Sequence, residues 1–163
     1  MPRLVYVLAV LAAVFVLWSS SYLPLQVASH FGVSGQADAY TSRFAFAAIM
    51  LAVVSVLPLL VWRFQCGIAR ARKTNIPNRD YWFADNRYVE TVRYLELHAA
   101  WFCVVFTLFM LTVHWLVVAA NNDAQNSQLN TPVFLTALGL FAAFAIGWTA
   151  TFYLRFRKQK VDA

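Results

Sequence analysis

Residues 44–62 read FAFAAIMLAVVSVLPLLVW, nineteen positions without a charge. Arg43 stands immediately before the run and Arg63 immediately after it. A helix needs about 20 mostly apolar residues to cross the hydrocarbon core, so this stretch reads as a membrane span. Pro58 lies one turn from its end, where a lipid-embedded helix can kink if its neighbours satisfy the freed carbonyl. Trp62 falls where the aromatic belt of a bilayer interface would lie.

The same reading extends to both sides. Three further apolar runs occupy residues 4–22, 99–120 and 132–154. The whole chain is 163 residues, 61% apolar and 12% charged, against about 25% charged in soluble domains. The fold class is therefore all-α and membrane-embedded: one domain of four transmembrane helices. A charged start followed by an apolar core also fits a signal peptide, but Trp18 and Tyr22 are bulky where a cleavage site needs small residues. The first run is read as an uncleaved span.

The connections carry the orientation. Residues 63–98 hold Arg63, Arg70, Arg72, Lys73, Arg79, Arg87 and Arg93, and the tail holds Arg155, Arg157, Lys158 and Lys160. With Arg3 these fall on one side, and Arg43 alone falls on the other. The positive-inside rule puts the termini and the basic loop in the cytoplasm, and residues 23–43 and 121–131 outside. Within the basic loop, Asp85 is an N-cap candidate for an amphipathic helix that leads into the third span. Glu90 stands three residues from both Arg87 and Arg93, a spacing that pairs charges on one face. Thr131 with Pro132 opens the fourth helix, Thr131 as cap. Arg70, Arg72, Lys73 and Arg79 form the basic patch, suited to anionic lipid, to an intracellular partner or to fixing topology alone.

Residues 23–43 are the long polar interruption between two closely spaced spans. Pro24, Gly32 and Gly35 punctuate it, which allows either a compact cap over the bundle or a mobile segment. It also carries His30, Phe31, Asp38 and Arg43. His114 is the one clearly intramembrane ionisable residue, and such residues suggest function by default. It lies on the same predicted side as His30, Asp38 and Asp123. His30, Asp38 and His114 would suffice for zinc, although no ligand spacing in the sequence brings them together. In the fourth span, Gly139, Ala143 and Gly147 recur at intervals of four and form a small-residue face. It suits internal packing, or docking to a partner subunit or a second copy.

Several functions are excluded or disfavoured. No groove-reading basic domain is present for nucleic acid. No nucleophile elbow, phosphate-binding glycine loop or HExxH motif points to an enzyme. No span contains the Asp or Glu of a proton relay. His98 and His114 are about 24 Å apart along one helix, too far to serve one haem. Cys66 and Cys103 have neither disulfide nor metal-knuckle spacing.

Leu23-Pro24, Val27, His30-Phe31, Gly35, Asp38 and Ser42-Arg43, with Asn75-Ile76-Pro77-Asn78 and Tyr81-Trp82, resemble the pattern of the N-terminal domain of SdpI-type bacterial immunity proteins. The resemblance covers roughly residues 1–120. It implies a bacterial inner-membrane protein with an immunity or signalling role toward a secreted peptide. His30, Phe31, Gly35 and Asp38 are the residues to which that role would attach. The expected function is non-catalytic binding or sensing of a peptide or membrane partner. The alternatives are an accessory subunit of a membrane complex and a metal-dependent membrane protein.

Overall fold

The computed structural model describes residues 2–122 and 127–157. Asp123, Lys158 and Lys160 lie outside the described residues. Four helices are long and apolar enough to cross a membrane. Helix α1 spans Pro2–Ser21, α2 Arg43–Arg70, α4 Asp85–Ala120 and α5 Thr131–Phe156, with a short α3 at Arg79–Trp82. Helices α2 and α4 run past the apolar stretches expected of them. The amphipathic segment and the third span form one 36-residue helix.

Helix α2 bends its hydrogen bonding rather than breaking at Pro58. Residues Ala52–Val56 form a π turn, and the Leu57 N–H donates to the Ala52 carbonyl five residues back. Proline has no N–H to donate and its ring crowds the carbonyl four residues earlier. Widening the preceding turn relieves that crowding, and a single π turn inside an α-helix is the usual form of the device.

The polar interruption is a β-hairpin. Strand β1 (Gln26–Phe31) pairs antiparallel with β2 (Ala37–Ser42). The register slips twice, between Ala28 and His30 and between His30 and Phe31. Ser29 and Asp38 are the residues left over, one bulge on each strand, and bulges of this kind re-aim side chains. Val27 and Ala28 are fully buried. Val27 enters the apolar cluster at the top of the bundle with Val16, Leu23, Phe46 and Val117.

Helix ends correct three expectations. Asn130, not Thr131, caps α5: its Oδ1 accepts from the Val133 N–H at 3.2 Å. Ala84 precedes α4, and Asp85 pairs instead with Arg72 at 2.8 Å. Glu90 reaches across to Arg155 on α5 at 2.5 Å rather than to Arg87 or Arg93 on its own helix. At Asp85 and Glu90 an arginine from outside α4 outcompetes the local partner that sequence spacing offers, whereas the α5 cap only moves by one residue.

At the basic end a small aromatic sub-core holds the connection. Ile76, Trp82, Phe83, Leu95 and Phe156 pack together there. Asn78 sits in the left-handed region at φ +52 and donates from Nδ2 to the Phe156 carbonyl at 3.2 Å, covering the end of α5. Arg79 donates to the carbonyl of Arg72, itself at φ +56. Arg70 pairs with Glu96 at 2.5 Å. So Arg70, Arg72 and Arg79 are structural ties, while Lys73 is exposed and makes no ion pair among the described residues.

Helix α5 packs only along one side. Phe141 stacks on Phe109 of α4 at 4.8 Å, and Trp148 stacks on His98 at 4.2 Å. The apolar window of α5 is otherwise unburied. A Cβ added at Gly139 or Gly147 would meet nothing within 4 Å. Gly139 and Gly147 thus face open space among the described residues.

Candidate functional site

The hairpin is fastened to the bundle at three places. At its base, Arg43 Nη1 donates to the carbonyls of Ser21 and Leu23, both at 3.1 Å. Those carbonyls belong to the end of α1 and the residues just after it, where helix acceptors lack partners. Ser42 Oγ accepts from the Ala45 N–H at 3.2 Å and caps α2. The Ser42-Arg43 pair thus joins both helices to the hairpin.

At mid-strand, Asn121 replaces a third strand. Its Oδ1 accepts from the Ala28 N–H at 2.8 Å, and its Nδ2 donates to the Ala28 carbonyl at 3.0 Å. The same Nδ2 donates to the Val117 carbonyl at 2.8 Å, so the amide is tied to its own helix as well. Asn121 and Ala28 are both buried. Buried backbone groups need such partners, and a primary amide presents one donor and one acceptor side by side as a strand does.

At the tip, the hairpin meets the last connection. The Leu129 N–H donates to the Gly35 carbonyl at 2.9 Å, and the Ala37 N–H donates to the Ser127 carbonyl at 3.3 Å. Gly35 is at φ +82. A Cβ there would lie 2.7 Å from Thr131 Oγ1 and 2.8 Å from the Leu129 carbonyl oxygen. Only glycine fits both the backbone angle and the space.

His30 and Asp38 are brought together by the two bulges. His30 Nδ1 lies 2.5 Å from Asp38 Oδ1, and the side chains are 71% and 52% exposed. Phe31 turns the other way and packs against the top cluster. Val33, at the turn, is fully exposed. The outer face of the cap thus offers one polar pair beside an apolar tip.

His114 lies beneath the cap, completely buried. Phe46 stacks on its ring at 5.6 Å and Phe15 meets it edge-on at 5.9 Å. Its Nε2 lies 2.8 Å from Ser19 Oγ, while Ser19 Oγ also reaches the Phe15 carbonyl at 2.7 Å. A hydroxyl has one proton to give. If the carbonyl takes it, Nε2 carries the imidazole proton and Nδ1 is left as a bare acceptor. Nδ1 has no partner among the described residues. His114 is a wedge joining α1, α2 and α4, not a ligand turned toward His30.

The zinc set does not assemble. Among the described residues no three His, Cys, Asp or Glu side chains are grouped to hold a metal. The reason is geometric: His30 and Asp38 point outward from the cap, and Phe15, Phe46 and Ser19 enclose His114. His98 is likewise engaged, stacked between Tyr94 at 5.5 Å and Trp148 at 4.2 Å.

Of the loop residues the sequence singles out for a ligand or partner, Gly35 and Arg43 serve the fastening and Phe31 the apolar cluster, while His30 and Asp38 stay exposed; the sequence does not single out Asn121. The available signal was its place, directly after an unbroken apolar helix and opposite the hairpin-forming segment.

These features define a class: a multi-pass membrane chain whose first two spans are bridged by a hairpin cap. Residues 7–56 match a family described as a domain of unknown function, DUF1648. The match begins inside α1, includes the whole hairpin and ends at the last residue of the π turn. No curated protein and no solved structure matches the chain.

Proposed function

We propose that this is a non-catalytic protein of the bacterial cytoplasmic membrane, with its termini inside, that binds or senses a peptide or a membrane partner through the outer face of the hairpin cap. The observation that carries the reading is the contrast within the cap. Arg43, Gly35 and Asn121 are spent on holding it in place, whereas His30, Asp38 and Val33 hold nothing buried. An exposed polar side-chain pair, even when charged, contributes about 0–1 kcal/mol to stability, so a pair in this position is better suited to recognition than to support. The immunity or signalling role implied by the SdpI-type resemblance is one form of this reading.

The test is complementation. A strain lacking the gene should become more sensitive to secreted antibacterial peptides, and the wild-type gene should restore resistance. The His30→Ala/Asp38→Asn variant should insert and melt like wild type, yet restore less than a tenth of the protection. Full restoration by that variant would remove the cap's outer face from the function.

A second reading is an accessory subunit that docks through the Gly139/Ala143/Gly147 face. The open space at Gly139 and Gly147 favours it, because small residues let another helix approach closely. In a mild-detergent pull-down, Gly139→Leu/Gly147→Leu should shed any chain that co-purifies with wild type in fixed ratio. Its own melting temperature should not fall. Unchanged co-purification would count against this face.

A further inference from the structure

A pocket of about 430 Å³ opens between α1, α2 and α4 at the basic end, away from the cap. Its polar lining is Arg63 and Arg70 from α2 with Arg93 and Glu96 from α4. Its apolar lining includes Tyr6, Trp62 and Ala100. Arg63, Cys66 and Arg70 are spaced three and four apart, as are Arg93, Glu96, Leu97 and Ala100, so each helix turns one face to the pocket. Tyr6 meets Trp62 edge-on at 5.5 Å across the floor.

The charges in this pocket do not balance. Arg70 neutralises Glu96 at 2.5 Å. Arg63 and Arg93 have no carboxylate partner among the described residues. Two uncompensated guanidiniums therefore line one cavity, and each offers a donor fork that matches phosphate oxygens. The position suits a lipid more than a soluble anion. Arg63 directly follows the apolar run of α2. Arg93 lies six residues before the apolar run of α4, about 9 Å at 1.5 Å per residue. That is headgroup depth. The floor below is aromatic and aliphatic, as an acyl chain requires.

We propose that this pocket binds the phosphate headgroup of an anionic phospholipid, with Arg63 and Arg93 on the phosphate and the upper acyl chain against Tyr6, Trp62 and Ala100. The site is separate from the cap and independent of the function proposed for it.

Native mass spectrometry of the full chain in mild detergent tests this. Phosphatidylglycerol and phosphatidylcholine are added in equal amounts. Wild type should retain the anionic lipid about tenfold better, and millimolar inorganic phosphate should not displace it. Arg63→Ala/Arg93→Ala should lose the preference, Arg63→Lys/Arg93→Lys should keep part of it, and Lys73→Gln/Arg157→Gln, which removes equal charge elsewhere, should keep all of it. Equal retention of the two lipids by wild type would overturn the proposal, and that result needs no variant to fold. So would displacement by free phosphate, which would make this a soluble-anion site. An equal loss in the Lys73/Arg157 variant would also overturn it, since diffuse surface charge would then suffice.

Discussion

Gly35→Ala should open the hairpin cap while leaving the four helices inserted. Two costs combine. The residue sits at φ +82, where a side chain other than glycine's costs about 1–2 kcal/mol. The added Cβ also falls 2.8 Å from the Leu129 carbonyl oxygen and 2.7 Å from Thr131 Oγ1. Thr131 can rotate, but the carbonyl is backbone and is held by its neighbours. Overpacking of this kind costs about 1–3 kcal/mol. The tip contact between Gly35 and Leu129 should therefore weaken by about 2–5 kcal/mol, a factor of about 30 or more in the closed population. Amide exchange across residues 26–42 should rise accordingly. Gly32→Ala is the control. Its Cβ would meet Asp38 Oδ2 at 3.5 Å, an ordinary contact, so the change in exchange should be severalfold smaller.

Asn121→Ala should have an effect of similar size by a different route. It removes the partners of both Ala28 backbone groups and one donor to the Val117 carbonyl. Ala28 is fully buried, so water cannot take the vacant positions unless the strand lifts off. A buried polar group left unpaired costs about 1–3 kcal/mol, which makes a total of about 2–5 kcal/mol reasonable for the variant. Asn121→Asp separates the two halves of the clamp. Its carboxylate can still accept from the Ala28 N–H, but it faces the Ala28 and Val117 carbonyls with no proton to give. It should rescue nothing and melt at least as low as Asn121→Ala. A melt of Asn121→Asp close to wild type would mean that the donor half of the amide is not needed.

The two variants also separate what was legible in the sequence from what was not. The spans were legible because a charge-free run near 20 residues is long enough to cross a bilayer and too apolar for a protein surface in water. Pro58 marked the place where α2 adjusts. The hairpin was not legible. Its strands carry three Ala and two Ser against only two β-branched residues, Val27 and Thr41, and slip register at Ser29 and Asp38, so the strict alternation that identifies a half-buried strand is missing. Asn121 looked like the first residue of a polar connection. Its amide acquires meaning only when β1 lies beside it, 93 residues away in sequence. His114 stood out as an ionisable residue in an apolar run, but Phe15, Ser19 and Phe46, which make it a wedge, carry no pattern that links them to it. The local charge pairs read from spacing failed at Glu90 because Arg155 approaches from another helix.

A recognition surface on the hairpin requires a cap fixed to the bundle by base, strand and tip, with its outer face free. Hydrogen exchange on the native protein in lipid nanodiscs tests that claim most directly. The amides of Ala28, Ala37 and Arg43, which donate to Asn121, Ser127 and Leu25, should exchange slowly, as those of the apolar helices do, while Val33 at the exposed turn exchanges fast. If Ala28 and Arg43 exchange as fast as Val33, the hairpin is not clamped, and a recognition surface built on it has no fixed shape.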